Sequence, residues 1–106
     1  MKYAKAGLDR MFYAKAGFAF QLGDIMKYVY LLQSLSHPDQ RYVGLTADFE
    51  KRLAAHNAGQ SSHTAKYRPW KLVTFIASAN DVQAIAFEKY LKSGSGRAFA
   101  EKRLWT

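Results

Sequence analysis

A strand that runs through a glycine into a helix constrains this chain most: Tyr42-Val43-Gly44-Leu45-Thr46-Ala47-Asp48-Phe49-Glu50-Lys51-Arg52-Leu53-Ala54-Ala55-His56-Asn57. Tyr42, Val43 and Leu45 are strand-type residues, and Gly44 is expected to relax the backbone where the chain turns. Thr46 reads as the N-cap of the helix, with Asp48 and Glu50 placing negative charge at its positive end. Phe49 and Leu53, four apart, give the helix an apolar stripe, and Gly59 marks its stop. Arg52 and His56 are also four apart and share a face, beside the strand end that carries Tyr42. A permanent cation, an imidazole and a phenol at one place suit phosphate chemistry. They equally suit an ordinary polar helix face.

The chain of 106 residues is sized for one small domain. It has no cysteine, which excludes a disulfide framework, a thiolate metal site and a thiol nucleophile. That composition fits a reducing, cytoplasmic setting. No apolar run approaches the roughly 20 residues that span a bilayer, so no membrane partner is expected. Sixteen Lys and Arg against eight Asp and Glu leave a formal charge of +8, which points to a polyanionic partner.

Residues 1–25 differ from the rest. Tyr3-Ala4-Lys5-Ala6-Gly7 recurs as Tyr13-Ala14-Lys15-Ala16-Gly17, two copies where a solenoid needs about three. The segment is expected to be an appended, poorly packed extension, or a start placed too early, with Met26 opening the domain that runs over 26–106. Without it the chain still holds 12 Lys and Arg against 6 Asp and Glu, so the basic bias belongs to the domain.

From Lys27 to Gln33 the β-branched and aromatic run Tyr28-Val29-Tyr30-Leu31-Leu32 reads as a buried first strand. Ser-His-Pro-Asp within 34–40 is a turn, and Arg41 to Leu45 the second strand. After the helix, residues 57–68 form a basic loop with His63, Lys66 and Arg68. Trp70 to Ala77 is a third strand. Asn80 caps a second helix, with Gln83 in capping-box position and Val82, Ile85, Ala86 and Leu91 as its apolar positions. Ser93-Gly94-Ser95-Gly96 ends that helix. A last one from Arg97 to Trp105 offers Phe99, Leu104 and Trp105 to the core. The order β-β-α-β-α-α is that of an α+β fold, with helices on a three-stranded mixed or antiparallel sheet.

These residues, taken in order, resemble the GIY-YIG nucleases, a family named for two tripeptides on adjacent strands. Tyr28-Val29-Tyr30 stands where the first belongs and Tyr42-Val43-Gly44 matches the second. The likeness continues through the helix ending at Arg52, through His56-Asn57-Ala58-Gly59, Arg68-Pro69-Trp70-Lys71-Leu72-Val73 and Glu88. The tail Leu91-Lys92-Ser93-Gly94-Ser95-Gly96-Arg97 is similar to the small, single-domain bacterial members. Each motif alone is common; the ordered set of Tyr30, Tyr42, Arg52, His56 and Glu88 is specific.

The resemblance implies a metal-dependent endonuclease acting on DNA, with RNA as the other substrate, in a repair or processing setting. One divalent cation, Mg²⁺ or Mn²⁺, would be held by Glu88 with phosphate and water oxygens, as a hard cation that retains waters allows. Arg52 would clamp the phosphate, Tyr30 would hold the attacking water or the phosphate, and either Tyr42 or His56 would act as general base. Lys51, His63, Lys66, Arg68, Lys71, Lys92 and Arg97 are the candidate nucleic-acid contacts, which position a strand without reading its sequence. Glu88 and Lys92, and Asp48 and Arg52, are also spaced for plain helix ion pairs. Two departures stand out: Leu45-Thr46 occupies the place of a lysine common in the family, and no asparagine lies near Phe99 and Ala100. They leave open a catalytically weak nucleic-acid-binding module, or a nuclease subunit that takes its specificity from a protein partner.

Overall fold

A computed structural model describes residues 26–105; the repeat and the other features of 1–25 lie outside the described residues. The β-branched and aromatic run at the start of the domain forms β1 (Lys27–Ser34), and β2 is Arg41–Thr46. Helix α1 (Phe49–Asn57) follows, then a single helical turn, α2 (Ser62–Ala65), inside the stretch expected to be loop. Strand β3 (Trp70–Ser78) and helices α3 (Asp81–Leu91) and α4 (Gly94–Arg103) complete the described chain. The sheet is antiparallel throughout, in the order β2-β1-β3, so β1 is the central strand and is the most deeply buried.

Alternation along β1 divides the core between two faces. Val29 and Leu31 pack with Phe87 and Leu91 of α3 and with Ala100, Leu104 and Trp105. Tyr30 and Leu32 pack with Phe49 and Leu53 of α1, with Tyr42, and with Trp70. Tyr28 shares that second face, its ring edge-on to Phe49 and Phe75. The α1 helix therefore covers one face of the sheet and the α3–α4 pair the other.

Four local expectations change. Asp48 caps α1, its carboxylate accepting from the Lys51 amide at 3.1 Å. Thr46 instead sits one step earlier, its hydroxyl accepting from the Asp48 amide. In α3 the helical period is as read but the buried face is not: Ala84, Phe87 and Leu91 face the sheet, while Val82 is 75% exposed and Ile85 47%. Phe99 is exposed, against Phe87 and Tyr90 at the surface, and Ala100 takes the core position.

The fourth change concerns Gly44. Strand β2 continues through it to Thr46 without a turn, and Gly44 lies opposite Tyr30 in the register. A Cβ at this position would land on the Tyr30 hydroxyl and ring carbons. Glycine is needed here because the Tyr30 ring lies across its backbone. Gly59, in contrast, acts as expected: with φ of 78° it follows α1 and donates its amide to the His56 carbonyl at 3.1 Å.

Tyr30 is fully buried and has nowhere to move. Gly44→Ala is therefore expected to cost about 1–3 kcal/mol in denaturant unfolding, the usual scale of an overpacked core. A variant as stable as the parent would contradict this packing.

Candidate active site

Helix α1 turns His56 inward and leaves Arg52, one turn earlier, at the surface. His56 is only 1% exposed, and both of its ring nitrogens are hydrogen-bonded. Nε2 meets the Tyr30 hydroxyl at 3.1 Å, and Nδ1 meets the Thr64 hydroxyl at 2.8 Å. Thr64 donates to the Ser61 carbonyl at 3.5 Å, so its oxygen is free to accept from Nδ1–H. That assigns Nε2 as the acceptor for the Tyr30 proton. The chain of bonds thus runs from Tyr30 through a neutral imidazole to Thr64 and the α2 backbone.

The Tyr42 ring packs edge-on to His56, centroids 4.8 Å apart, and tilted against Tyr30 at 6.0 Å. The Arg52 guanidinium lies near enough to the Tyr30 phenol, and to that of Tyr42, for its charge to act on both. The ion pair with Asp48 that the spacing allowed does not form among the described contacts, because the Asp48 carboxylate is spent on the helix cap. Burial pushes the Tyr30 phenol above its ordinary pKa, and the Arg52 hydrogen bond only partly opposes this. Hydrogen bonding to Tyr30 raises Arg52 still further, so it is a permanent cation. Burial, with the Arg52 charge second, holds His56 below the usual imidazole range.

Thr64 is the residue that sequence reasoning missed. It is 2% exposed, and its carbonyl also accepts from the Trp70 indole at 2.9 Å. A threonine in a polar loop carries no pattern, and only the unforeseen turn α2 brings it to His56. Asn57 was passed over as well: its side chain clamps the Trp70 backbone, accepting from the amide at 2.6 Å and donating to the carbonyl at 3.1 Å.

Glu88 projects from α3, which covers the other face of the sheet, and it pairs with Lys92 as its i,i+4 spacing allowed. Lys92 lines a cavity of about 530 Å³ beside β2, together with Tyr42, His63 and Arg97. Glu88 itself is not among the residues that line this cavity; its ion-pair partner Lys92 is. Of the expected nucleic-acid contacts, His63, Lys92 and Arg97 converge here. Lys51 and Lys71 are exposed elsewhere on α1 and β3, Lys66 lies over the Tyr67 ring at 5.4 Å, and Arg68 packs over Gly59. Among the described residues no three His, Cys, Asp or Glu side chains cluster to hold a metal ion. Glu88 alone fits a hard cation that takes its remaining ligands from water and substrate, and does not fit zinc.

The depressed His56 pKa links stability to pH. Its contribution is fully present above the unfolded value of about 6.5 and is lost as pH falls toward the lower folded value. The melting temperature is expected to drop as pH falls below about 6.5, and less steeply in His56→Gln. Parallel curves for the two proteins would contradict a buried neutral imidazole.

A family model described as the GIY-YIG catalytic domain matches residues 26–102. A structure-specific endonuclease subunit SLX1 homolog of Giardia intestinalis is 32% identical over 65 residues, covering 58% of this chain and 18% of the relative. Structure-specific endonuclease subunit SLX1 of Scheffersomyces stipitis is 39% identical over 67 residues, 57% of this chain and 20% of the relative. The chain thus spans about a fifth of those two proteins. It also matches a UPF0213 protein of Clostridium perfringens, 38% identical over 68 residues, with 63% of this chain and 71% of the relative covered. With its ordered tyrosines, arginine, histidine and glutamate on an antiparallel α+β scaffold, the chain belongs to the GIY-YIG catalytic-domain family.

Proposed function

We propose that this protein is a metal-dependent endonuclease that hydrolyses DNA phosphodiester bonds. The observation that carries the reading is the Arg52 charge beside the Tyr30 and Tyr42 phenols, with Tyr30 hydrogen-bonded to a buried histidine, in a chain of this family. Arg52 is a fixed, fork-shaped cation suited to clamping the scissile phosphate as charge builds on it. Tyr42 is half-buried and lines the cavity, so it can reach the attacking water; His56 cannot, with both nitrogens taken and no exposed surface. Of the two general-base candidates, Tyr42 is therefore the one we assign to the water. His56 acts through Tyr30, keeping that hydroxyl aimed and its proton placed.

Glu88 would hold the divalent cation, Mg²⁺ or Mn²⁺, with Lys92 on the other side of its carboxylate. When bound, the ion supplies neutralisation of the charge developing on the phosphate. A repair or processing role and a protein partner are suggested by the two relatives named as structure-specific endonuclease subunits. A cytoplasmic setting goes with this reading; no helix among the described residues is long and apolar enough to cross a membrane. The second reading, a nucleic-acid-binding module with weak chemistry, draws on the Glu88–Lys92 pair, which leaves the carboxylate already partnered.

Cleavage of labelled single-stranded, duplex and branched DNA and of RNA, with Mg²⁺, Mn²⁺ or chelator, separates the two. Glu88→Gln is expected to abolish metal-dependent cutting, and Arg52→Ala to slow it roughly 10²–10³-fold, the scale of losing one transition-state donor. Binding without cutting, unaffected by Glu88→Gln, would establish the module instead. Affinity is expected to fall steeply with salt, by a log–log slope of about −0.9 per phosphate neutralised on duplex DNA. A salt-independent affinity would contradict backbone-dominated binding.

A further inference from the structure

Helix α3 buries one face against the sheet and leaves a second apolar face in water. Ala84, Phe87 and Leu91 make the buried face. Val82, Ile85 and Ala86, spaced i, i+3 and i+4, lie on the opposite side and are all exposed. Tyr90 and, from α4, Phe99 continue this patch, their ring centroids 6.1 Å apart. A single exposed apolar side chain is ordinary. A helix that is apolar on two opposite sides has the pattern of one covered on both. Among the described residues nothing packs on the outer face of α3, so its sequence is that of a contact surface.

The charges beside the stripe select its occupant. Asp81 opens α3, and Lys89 lies in its last turn. Asp81 is paired with Lys27 at 3.3 Å yet stays 61% exposed, while Lys92 takes Glu88. Lys89 has no ion-pair partner among the described residues. An acid at the start of a helix and an unpaired base near its end are complementary to the same helix run in the opposite direction. We propose that this face binds a second copy of the chain, α3 packing antiparallel to α3 about a two-fold axis at Ile85. Residues 81 and 89 are equally far from that axis, so each Asp81 stands opposite the Lys89 of the other copy. The stem of that lysine covers Val82, and the small Ala86 lets the helix axes approach to the usual 8–10 Å or so. Antiparallel packing also sets each positive helix end beside a negative one. Parallel packing would set Lys89 against Lys89. With 11 residues α3 is only about 16 Å long, so the contact falls at the small end of specific interfaces and the dimer is a weak one. The inference rests on neither the cavity nor the nuclease reading.

The test is sedimentation equilibrium of the full chain at about 0.15 M salt, where repulsion between two basic chains is screened beyond roughly 8 Å. The wild type is expected to pass from monomer to dimer with a Kd on the order of 10–100 μM. Ile85→Glu, at a position already 47% exposed, is expected to weaken that association about tenfold or more while the circular dichroism spectrum stays that of the parent. Asp81→Lys and Lys89→Asp each set like charges face to face, and each alone is expected to be monomeric over the same range. Mixed in equal amounts, the two are expected to associate about as tightly as the wild type, because the mixed pair restores both contacts between 81 and 89. Damage to folding would not be repaired by mixing. A wild type that stays monomeric up to about 1 mM would overturn the proposal and leave the face to residues 1–25 or to another protein. A dimer indifferent to Ile85→Glu would overturn it as well, as would charge variants that associate no better mixed than alone.

Discussion

The Tyr30 ring laid across Gly44 is the contact on which the rest of the site depends. It needs an antiparallel register that sets residue 30 opposite residue 44, and it needs the missing side chain at 44. With the ring down on the backbone, its hydroxyl reaches Nε2 of His56 inside the core, and the imidazole reaches Thr64. Burying a phenol, an imidazole and a hydroxyl is costly unless each finds a partner, and here each does. The same bonds tie α1 and α2 to the central strand, so the polar chain also holds the helix that carries Arg52.

Burial sorts the four groups by what they can do. Tyr30 and His56 are shut from water, one kept protonated and the other kept neutral by the same desolvation. Arg52 is exposed and Tyr42 half-buried. Glu88 lies on a helix packed against the opposite face by Phe87 and Leu91. At the β2 edge a cavity opens, lined by Tyr42 and by Lys92, the ion-pair partner of Glu88. An edge strand left uncovered would be a pairing liability. Here that edge adjoins a cavity rich in cationic side chains.

Much of this was legible in the residues. The β-branched and aromatic run in 27–34 marked a buried strand, and its aromatic positions 28 and 30 fell on one face as alternation requires. Tyr42, Arg52 and His56 were readable together from the strand end and the i,i+4 spacing, and Tyr30 joined them through the family resemblance. The order of the main elements followed from strand-type runs, turn residues and helical spacing, with the turn α2 unforeseen. What was not legible depended on tertiary contact. Gly44 looked like a turn residue, since nothing in its neighbours announces a ring packed on it. Asp48 and Thr46 are both competent caps, and the choice between them is made by where the strand releases the chain. Val82 and Ile85 looked like the buried face of α3, but Ala84 and Phe87 are the residues whose sizes fit against the sheet. Thr64 had no signal, because its role exists only once His56 is buried beside it.

The central claim is that Arg52 and the buried Tyr30–His56 pair act as one unit. A double-mutant cycle on the single-turnover cleavage rate of the DNA that the wild type cuts best, using Tyr30→Phe, Arg52→Ala and the double variant, measures that coupling directly. If Tyr30 works by holding Arg52, the double variant is expected to be scarcely slower than Arg52→Ala alone, a non-additivity of about 1–3 kcal/mol. Losses that simply multiply would show two independent groups and would contradict the account.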